Sequence, residues 1–206
     1  MKRLTYNRQS DEVRYLIKQD PKLKTLFNQL DEVHVTIDDN YFVSLVGTIV
    51  SQQLSGKVAQ VIFRRVHDYF DQDITTRKVL LAPEEQLRSL GLSFQKIKYL
   101  KSLSECVISQ TVKLHELDHL DDEDIIKMLT QIKGIGRWSA EMFLIFSLGR
   151  QDVYSVLDLG LRNALKRLYN NQNLSHEEIN KISEKWKPYR TIVSHFLWHA
   201  WDTEKA

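Results

Sequence analysis

Residues 131–141 read QIKGIGRWSAE, and the reading of this stretch decides the fold. On either side the chain is helical in pattern: DDEDIIKMLT before it, with acids where a first helical turn favours them, and AEMFLIFSL after it. Two glycines inside a continuous helix would cost roughly 1 kcal/mol each. Gly134 and Gly136 therefore mark a tight turn between two helices, with Ile135 between them to anchor it and Lys133 and Arg137 alongside. Bare backbone lets a partner approach closely and permits positive φ. The first amides of the second helix then face outward at its positive end, which suits a phosphate, and the two cations add mobile charge. A turn that only joins two helices would carry the same glycines. The flanking cations and the apolar residue between the glycines favour a helix–hairpin–helix that holds a phosphate backbone.

Outward from the hairpin, apolar residues recur at helical spacing. SDEVRYLIKQDPKLKTLFNQL reads as two helices split at Pro21, the first capped by Ser10. VHVTID (33–38) alternates and predicts a short extended piece. NYFVSLVGTIVSQQLS sets Phe42, Leu45, Val46, Ile49 and Val50 on one stripe that stops in polar Ser51, Gln52 and Gln53, and Ser55 caps GKVAQVIFRRVHDYF. TTRKVLL and APEEQLRSLG are short helices, Gly91 ending the second. A longer helix, SFQKIKYLKSLSECVISQ, starts at the Ser93 cap. LGLRNALKRLY, SHEEINKISEKW and YRTIVSHFLWHAW complete the chain. The pattern predicts an all-α protein of about ten or eleven helices in a single compact domain over 1–206.

Composition narrows the function. A net charge of +2 in 206 residues means that any nucleic-acid surface must come from local clustering. One cysteine, Cys106, excludes an internal disulfide and a four-cysteine iron–sulfur site. MKRLTYNRQSDEVRYLIKQD has no apolar signal core and no stretch approaches ~20 apolar residues, so no membrane association and a cytoplasmic setting are expected. HELDH (115–119) matches the H-E-x-x-H zinc pattern. Its surroundings, VKLHELDHLDDED, read as a connecting loop that meets a new helix start at Asp121.

LTQIKGIGRWSAEMFLIFSLGRQDVYSVLDLGLRNAL resembles the helix–hairpin–helix DNA glycosylases, most closely the alkylbase branch of the DNA-3-methyladenine glycosylase II type. SLVGTIVSQQLSGKVA, GLSFQKIKYLKSL and KPYRTIVSHFLWHAW agree with it in order and spacing. The resemblance implies a two-lobed helical bundle with a cleft between lobes. Residues 40–155 would form a middle lobe containing the hairpin, and 1–39 with 156–206 a terminal lobe. It implies a monofunctional DNA glycosylase of base excision repair, a monomer acting on double-stranded DNA that contains alkylated purines such as 3-methyladenine and 7-methylguanine. It would work in the cytoplasm, at the nucleoid in a bacterium, or in the nucleus of a eukaryote. The alternatives are a helix–hairpin–helix module that only grips DNA, and an oxidised-base glycosylase/lyase.

The same resemblance assigns residues. Asp158 takes the catalytic place; from pattern alone it is equally a helix N-cap before LGLRNALKRLY. Trp138 and Trp198 match pocket tryptophans, with Met142 beside them and Tyr154, Phe143 and Trp201 as weaker matches; aromatics at helical spacing also read as core. Gln53 is the duplex plug and Ser55 its minor-groove neighbour, or else a polar helix end, while Gln52 faces the protein. Lys133, Gly134, Gly136, Arg137 and Ser139 contact DNA phosphate. No cofactor is expected beyond a structural Na+ or K+ at the carbonyls of Thr130, Ile132 and Ile135. Relatives that are also lyases place a Schiff-base lysine where this chain has Trp138. The chain departs from the family in having Leu157 and Ser155 in place of an acid and a proline, and Met142 where a tyrosine is common.

Overall fold

The computed structural model describes residues 2–203, with side chains through residue 200. Two strands and twelve α-helices are present among them: β1 (Lys2–Asn7), α1 (Asp11–Gln19), α2 (Leu23–Asn28), β2 (Glu32–Ile37), α3 (Tyr41–Ser51), α4 (Gly56–Tyr69), α5 (Thr76–Leu81), α6 (Glu84–Ser89), α7 (Phe94–Ile108), α8 (Asp122–Leu129), α9 (Arg137–Phe146), α10 (Leu159–Leu168), α11 (His176–Ser183) and α12 (Arg190–Thr203). Two short 3-10 segments, Leu114–His119 and Glu184–Trp186, connect helices. The fold is therefore mostly helical.

β2 is the short extended piece expected at 33–38, and β1 is the strand the sequence did not announce. β1 and β2 pair antiparallel, Leu4 opposite Val35 and Tyr6 opposite Val33. Alternation buries Val33, Val35 and Ile37 and exposes Glu32, His34 and Thr36. β1 has only Leu4 and Tyr6 as apolar residues among charged and polar ones, so its partner strand rather than its own pattern makes it a strand. The 3-10 segment holds His115 and His119 at about three residues per turn, which sets residues i and i+4 roughly 120° apart rather than on one face.

Residues 40–143 make one compact unit, and the described residues on either side make the other. In the first unit the α3 stripe Phe42, Leu45, Val46, Ile49 and Val50 is buried, as are Ile97, Leu100 and Leu103 of α7 and Ile125, Ile126 and Leu129 of α8. Ile132 and Ile135 bury into this core from the hairpin. Phe143 is core too, edge-on to Tyr41 at 5.6 Å.

The second unit builds its core from α1, α2, the strands, α10, α11 and α12. Phe27 and Phe196 meet edge-to-face at 4.6 Å. Buried Asp20 accepts from the Trp186 indole at 3.0 Å and from the Tyr169 hydroxyl, satisfying a carboxylate that would otherwise be costly there. The segment before α10 is pinned to the start of α12: Arg190 forks onto Asp152 at 2.8 and 3.2 Å, and the Thr191 hydroxyl accepts the Val153 amide at 2.9 Å. Those bonds fix where Asp158 emerges.

Candidate active site and nucleic-acid interface

Asp158 is the N-cap of α10. Its Oδ1 accepts the Leu161 amide at 2.8 Å and the Trp198 indole N–H at 3.1 Å. The Arg162 guanidinium donates to the carbonyls of Val156 and Leu157 at 3.0 and 2.9 Å, closing the loop from the far side. Gly160 lets this happen: a Cβ there would lie 3.2 Å from Asp158 Oδ1 and 3.5 Å from Trp198 Cδ1. Its negative charge sits at the positive end of α10. The helix-cap reading of Asp158 and the family's catalytic placement thus fall on one half-buried carboxylate.

Trp198 is half-buried, and its ring lies 5.5 Å from Phe146 at a 30° tilt. His195 completes the aromatic group, 5.5 Å from Phe146 and 5.7 Å from Trp198. Burial, with the neighbouring His199, pushes His195 down to about 4. Tyr154 is in the core, edge-on to Trp186 at 5.5 Å, with its buried hydroxyl lacking a hydrogen-bond partner. Burial and the Asp158 charge raise that phenol well above its ordinary range. Ser155 is fully buried and Leu157 is exposed. The side chain of Trp201 lies outside the described residues.

The hairpin belongs to the other unit. Gly134 has φ +89, and a Cβ there would meet the Tyr99 ring at 2.2 Å, so both backbone and packing demand glycine. A Cβ on Gly136 would meet nothing within 4 Å. Folding leaves that position bare without needing to. The Gly136 carbonyl accepts the Ala140 amide at 3.0 Å, so α9 starts here and its first amides have no intrahelical acceptor. Lys133 is exposed beside it. Arg137 is already engaged: its guanidinium pairs with both oxygens of Glu123 and reaches Glu141 at 3.0 Å. These pairings raise the arginine and, through the Arg137 hydrogen bond, lower Glu123. Arg137 therefore ties α9 to the first turn of α8 and does not project as an isolated cation. Ser139 is buried. The Ile132 carbonyl accepts the Ile135 amide at 3.0 Å.

A cavity of about 590 Å³ opens in this unit, lined by Gln53, Lys96, Tyr99, Gly134, Trp138 and Met142 among others. Trp138 is 42% exposed on it. The candidate plug and pocket positions Gln53, Trp138 and Met142 thus line one cavity. Exposed Gln53 has φ +58, a left-handed conformation that costs a residue with a side chain roughly 1–2 kcal/mol. Gln52 turns into the protein and donates to the Gly134 carbonyl at 2.7 Å. Ser55 precedes α4 and is exposed, without a side-chain cap bond. Among the described residues no group of three or more His, Cys, Asp or Glu is placed to hold a metal ion, and no helix is long and apolar enough to cross a membrane.

Sequence reasoning missed Gly160 and Lys96. A lone glycine inside a helical pattern was the available signal for the first. Lys96 gave none, because one lysine in a helix reads as solvated surface.

Comparison with known proteins places the chain in a family. Residues 46–188 match the family described as HhH-GPD superfamily base excision DNA repair protein. The chain is 38% identical over 165 residues to DNA-3-methyladenine glycosylase 1 of Schizosaccharomyces pombe, covering 78% of this chain and 71% of that protein. Its fold matches a crystal structure of a DNA-3-methyladenine glycosidase from Bacillus halodurans with TM-score 0.88 and 36% identity, covering 98% and 94% of the two chains. It also matches the S. pombe 3-methyladenine DNA glycosylase in complex with abasic DNA, with TM-score 0.84 and 32% identity over 96% and 98%. The chain belongs to the HhH-GPD superfamily of base excision DNA repair proteins.

Proposed function

We propose that this protein is a monofunctional DNA glycosylase that hydrolyses the N-glycosidic bond of alkylated, cationic purines such as 3-methyladenine and 7-methylguanine, leaving an abasic site. The observation that carries the reading is the Asp158 carboxylate, its Oδ1 bonded by Leu161 and Trp198 at the head of α10. The names of its relatives supply the substrate class.

Hydrolysis follows from that group. The C1′–N bond breaks with its electron pair leaving on the base, so a cationic purine departs neutral and needs no general acid. Positive charge develops on the deoxyribose, as in other oxocarbenium-like reactions. A fixed carboxylate beneath it stabilises the transition state more than the ground state. At ~3.5 Å and an effective dielectric of ~20 the attraction is about 5 kcal/mol. Water then adds to C1′, and its proton passes to Asp158 or to solvent. The bond to Trp198 means that the group needs no reorganisation at that moment.

The remaining residues divide the work of holding DNA. Lys133 and the amides that open α9 face the phosphate backbone, and bare Gly136 allows its approach. Gln53, presented in its left-handed turn, fills the space of the extruded base, whose removal from the stack costs a few kcal/mol, and Ser55 faces the minor groove. Trp138 in the hairpin unit and Trp198 in the unit that carries Asp158 each have a π face of the kind that attracts a cationic ring. A monovalent cation at the carbonyls of Thr130, Ile132 and Ile135 would add positive charge against the phosphate; the Ile132 oxygen retains a lone pair beyond its bond to Ile135. The reading carries with it action as a monomer on double-stranded DNA, in the compartment that holds the DNA.

Replacing Asp158 with Asn tests it on randomly methylated DNA. The expected result is binding to an abasic-site duplex as in the wild type, with release of 3-methyladenine abolished. Release near the wild-type rate would remove Asp158 from the chemistry, and a borohydride-trapped covalent adduct would replace hydrolysis by lyase chemistry.

A further inference from the structure

The loop that carries Gln53 is bonded at two points just ahead of it. Upstream, the Val50 carbonyl at the end of α3 accepts the Lys96 ammonium of α7 at 2.7 Å. Desolvation there lowers the lysine. Immediately before Gln53, the Gln52 side-chain amide donates to the Gly134 carbonyl at 2.7 Å. Gly134 is itself closely constrained: φ is +89, Tyr99 fills the space of a side chain, and the next amide, Ile135, is bonded back to Ile132 at 3.0 Å. One side chain therefore joins the peptide that shapes the phosphate-holding turn to the residue whose left-handed conformation presents the plug.

We infer that Gln52 is a positioning residue: it ties the hairpin to the α3–α4 loop, so that the grip on the backbone sets the depth at which Gln53 enters the duplex. The inference rests on the reading of Gln53 as the plug. Gln52 itself needs no contact with DNA. Losing its bond releases Gln53 from the left-handed region, which only the surrounding bonds maintain, and leaves the hairpin's own contacts untouched. Catalysis then falls through extrusion of the base, while affinity for undamaged duplex stays.

Four variants test this on a duplex with one 7-methylguanine and 2-aminopurine as its 3′ neighbour: Gln52→Met, Gln52→Glu, Gln53→Ala and the double variant Gln52→Met/Gln53→Ala. Single-turnover release, 2-aminopurine fluorescence on binding and affinity for undamaged duplex are measured. Gln52→Met is expected to slow release about tenfold or more, as small misplacements do, with less fluorescence gain and undamaged-duplex affinity within about twofold. The double variant is expected to be no slower than the slower single one, the non-additivity of two residues acting as a unit. Gln52→Glu cannot donate as a carboxylate but can when protonated, so its rate relative to wild type should recover from pH 8 to pH 5, which a loss of packing would not do. Gln53→Ala slow with Gln52→Met at wild-type rate, or multiplicative losses in the double variant, would overturn the coupling and leave the plug intact. Gln53→Ala at wild-type rate would overturn the plug reading and this inference with it.

Discussion

Trp198 donates its indole N–H to the same Asp158 oxygen, Oδ1, that accepts the Leu161 amide, at 3.1 and 2.8 Å. Two donors on one oxygen fix the rotation of the carboxylate, so Trp198 orients Asp158 in addition to offering a ring. Trp198→Phe keeps an aromatic face and removes the donor. A hydrogen bond to a charged group is worth roughly 1.5–3 kcal/mol, so single-turnover release of 3-methyladenine should fall about ten- to a hundredfold. Affinity for an abasic-site duplex should hold. Release at the wild-type rate would leave the indole as a wall only.

Gly160 separates stability from activity. Alanine in α10 should gain up to about 1 kcal/mol of helix propensity. Its Cβ would press on Asp158 Oδ1 at 3.2 Å, an oxygen already held by two bonds. Gly160→Ala should therefore raise or preserve the Tm while slowing release by about tenfold or more. Calorimetry beside single-turnover kinetics checks both halves; an unchanged rate would show that the carboxylate yields without cost.

Lys133 and Arg137, equivalent in sequence, should behave differently. Lys133 is exposed, whereas Arg137 pairs with Glu123 and Glu141. Lys133→Ala removes one cation from the phosphate backbone and should reduce the slope of log K against log salt by about 0.9, with no change in Tm. Arg137→Met should lower Tm as well as affinity, because the start of α9 loses its tie to α8. Titrations on undamaged duplex at several salt concentrations, with melting curves, distinguish the two; equal effects on Tm would erase the distinction.

The helices were legible because their periodicity is local. The α3 stripe from Phe42 to Val50 is buried as its spacing requires, and the acids of α8 and the two hairpin glycines mark the turn between α8 and α9. β1 was not legible, since pairing with β2 thirty residues away supplies what KRLTYN lacks by itself. For the candidate functional positions, the family resemblance nominated Asp158 and Trp138, but not which side chains bind each other. That Arg137 is spent on Glu123, fourteen residues upstream, and that Gln52 reaches Gly134, eighty-two residues downstream, are consequences of packing. Tyr154 shows the same limit: its aromatic character suits a pocket, and its surroundings are core.

The Tyr154 hydroxyl is buried without a partner, an arrangement that costs about 1–3 kcal/mol of desolvation. Tyr154→Phe removes the oxygen and keeps the ring against Trp186. The expected outcome is a Tm at or above that of the wild type with release unchanged. A rate loss beyond tenfold, with Tm preserved, would instead give that hydroxyl a partner in the DNA complex.

Acid should destabilise the protein through His195. Its ordinary value is 6.5, and burial among Phe146 and Trp198, with His199 nearby, brings it to about 4. Between those values the unfolded chain binds a proton that the native imidazole refuses. This residue's contribution is therefore intact above pH 6.5 and is lost as pH falls toward 4, by about 3 kcal/mol in all. His195→Phe fills the same aromatic space without a titrating group and should flatten that limb of the stability curve. Urea unfolding of both proteins at pH 7.5, 5.5 and 4.5 measures it. The wild type should lose stability relative to the variant at each step down, and parallel curves would mean that the imidazole is protonated in the native core.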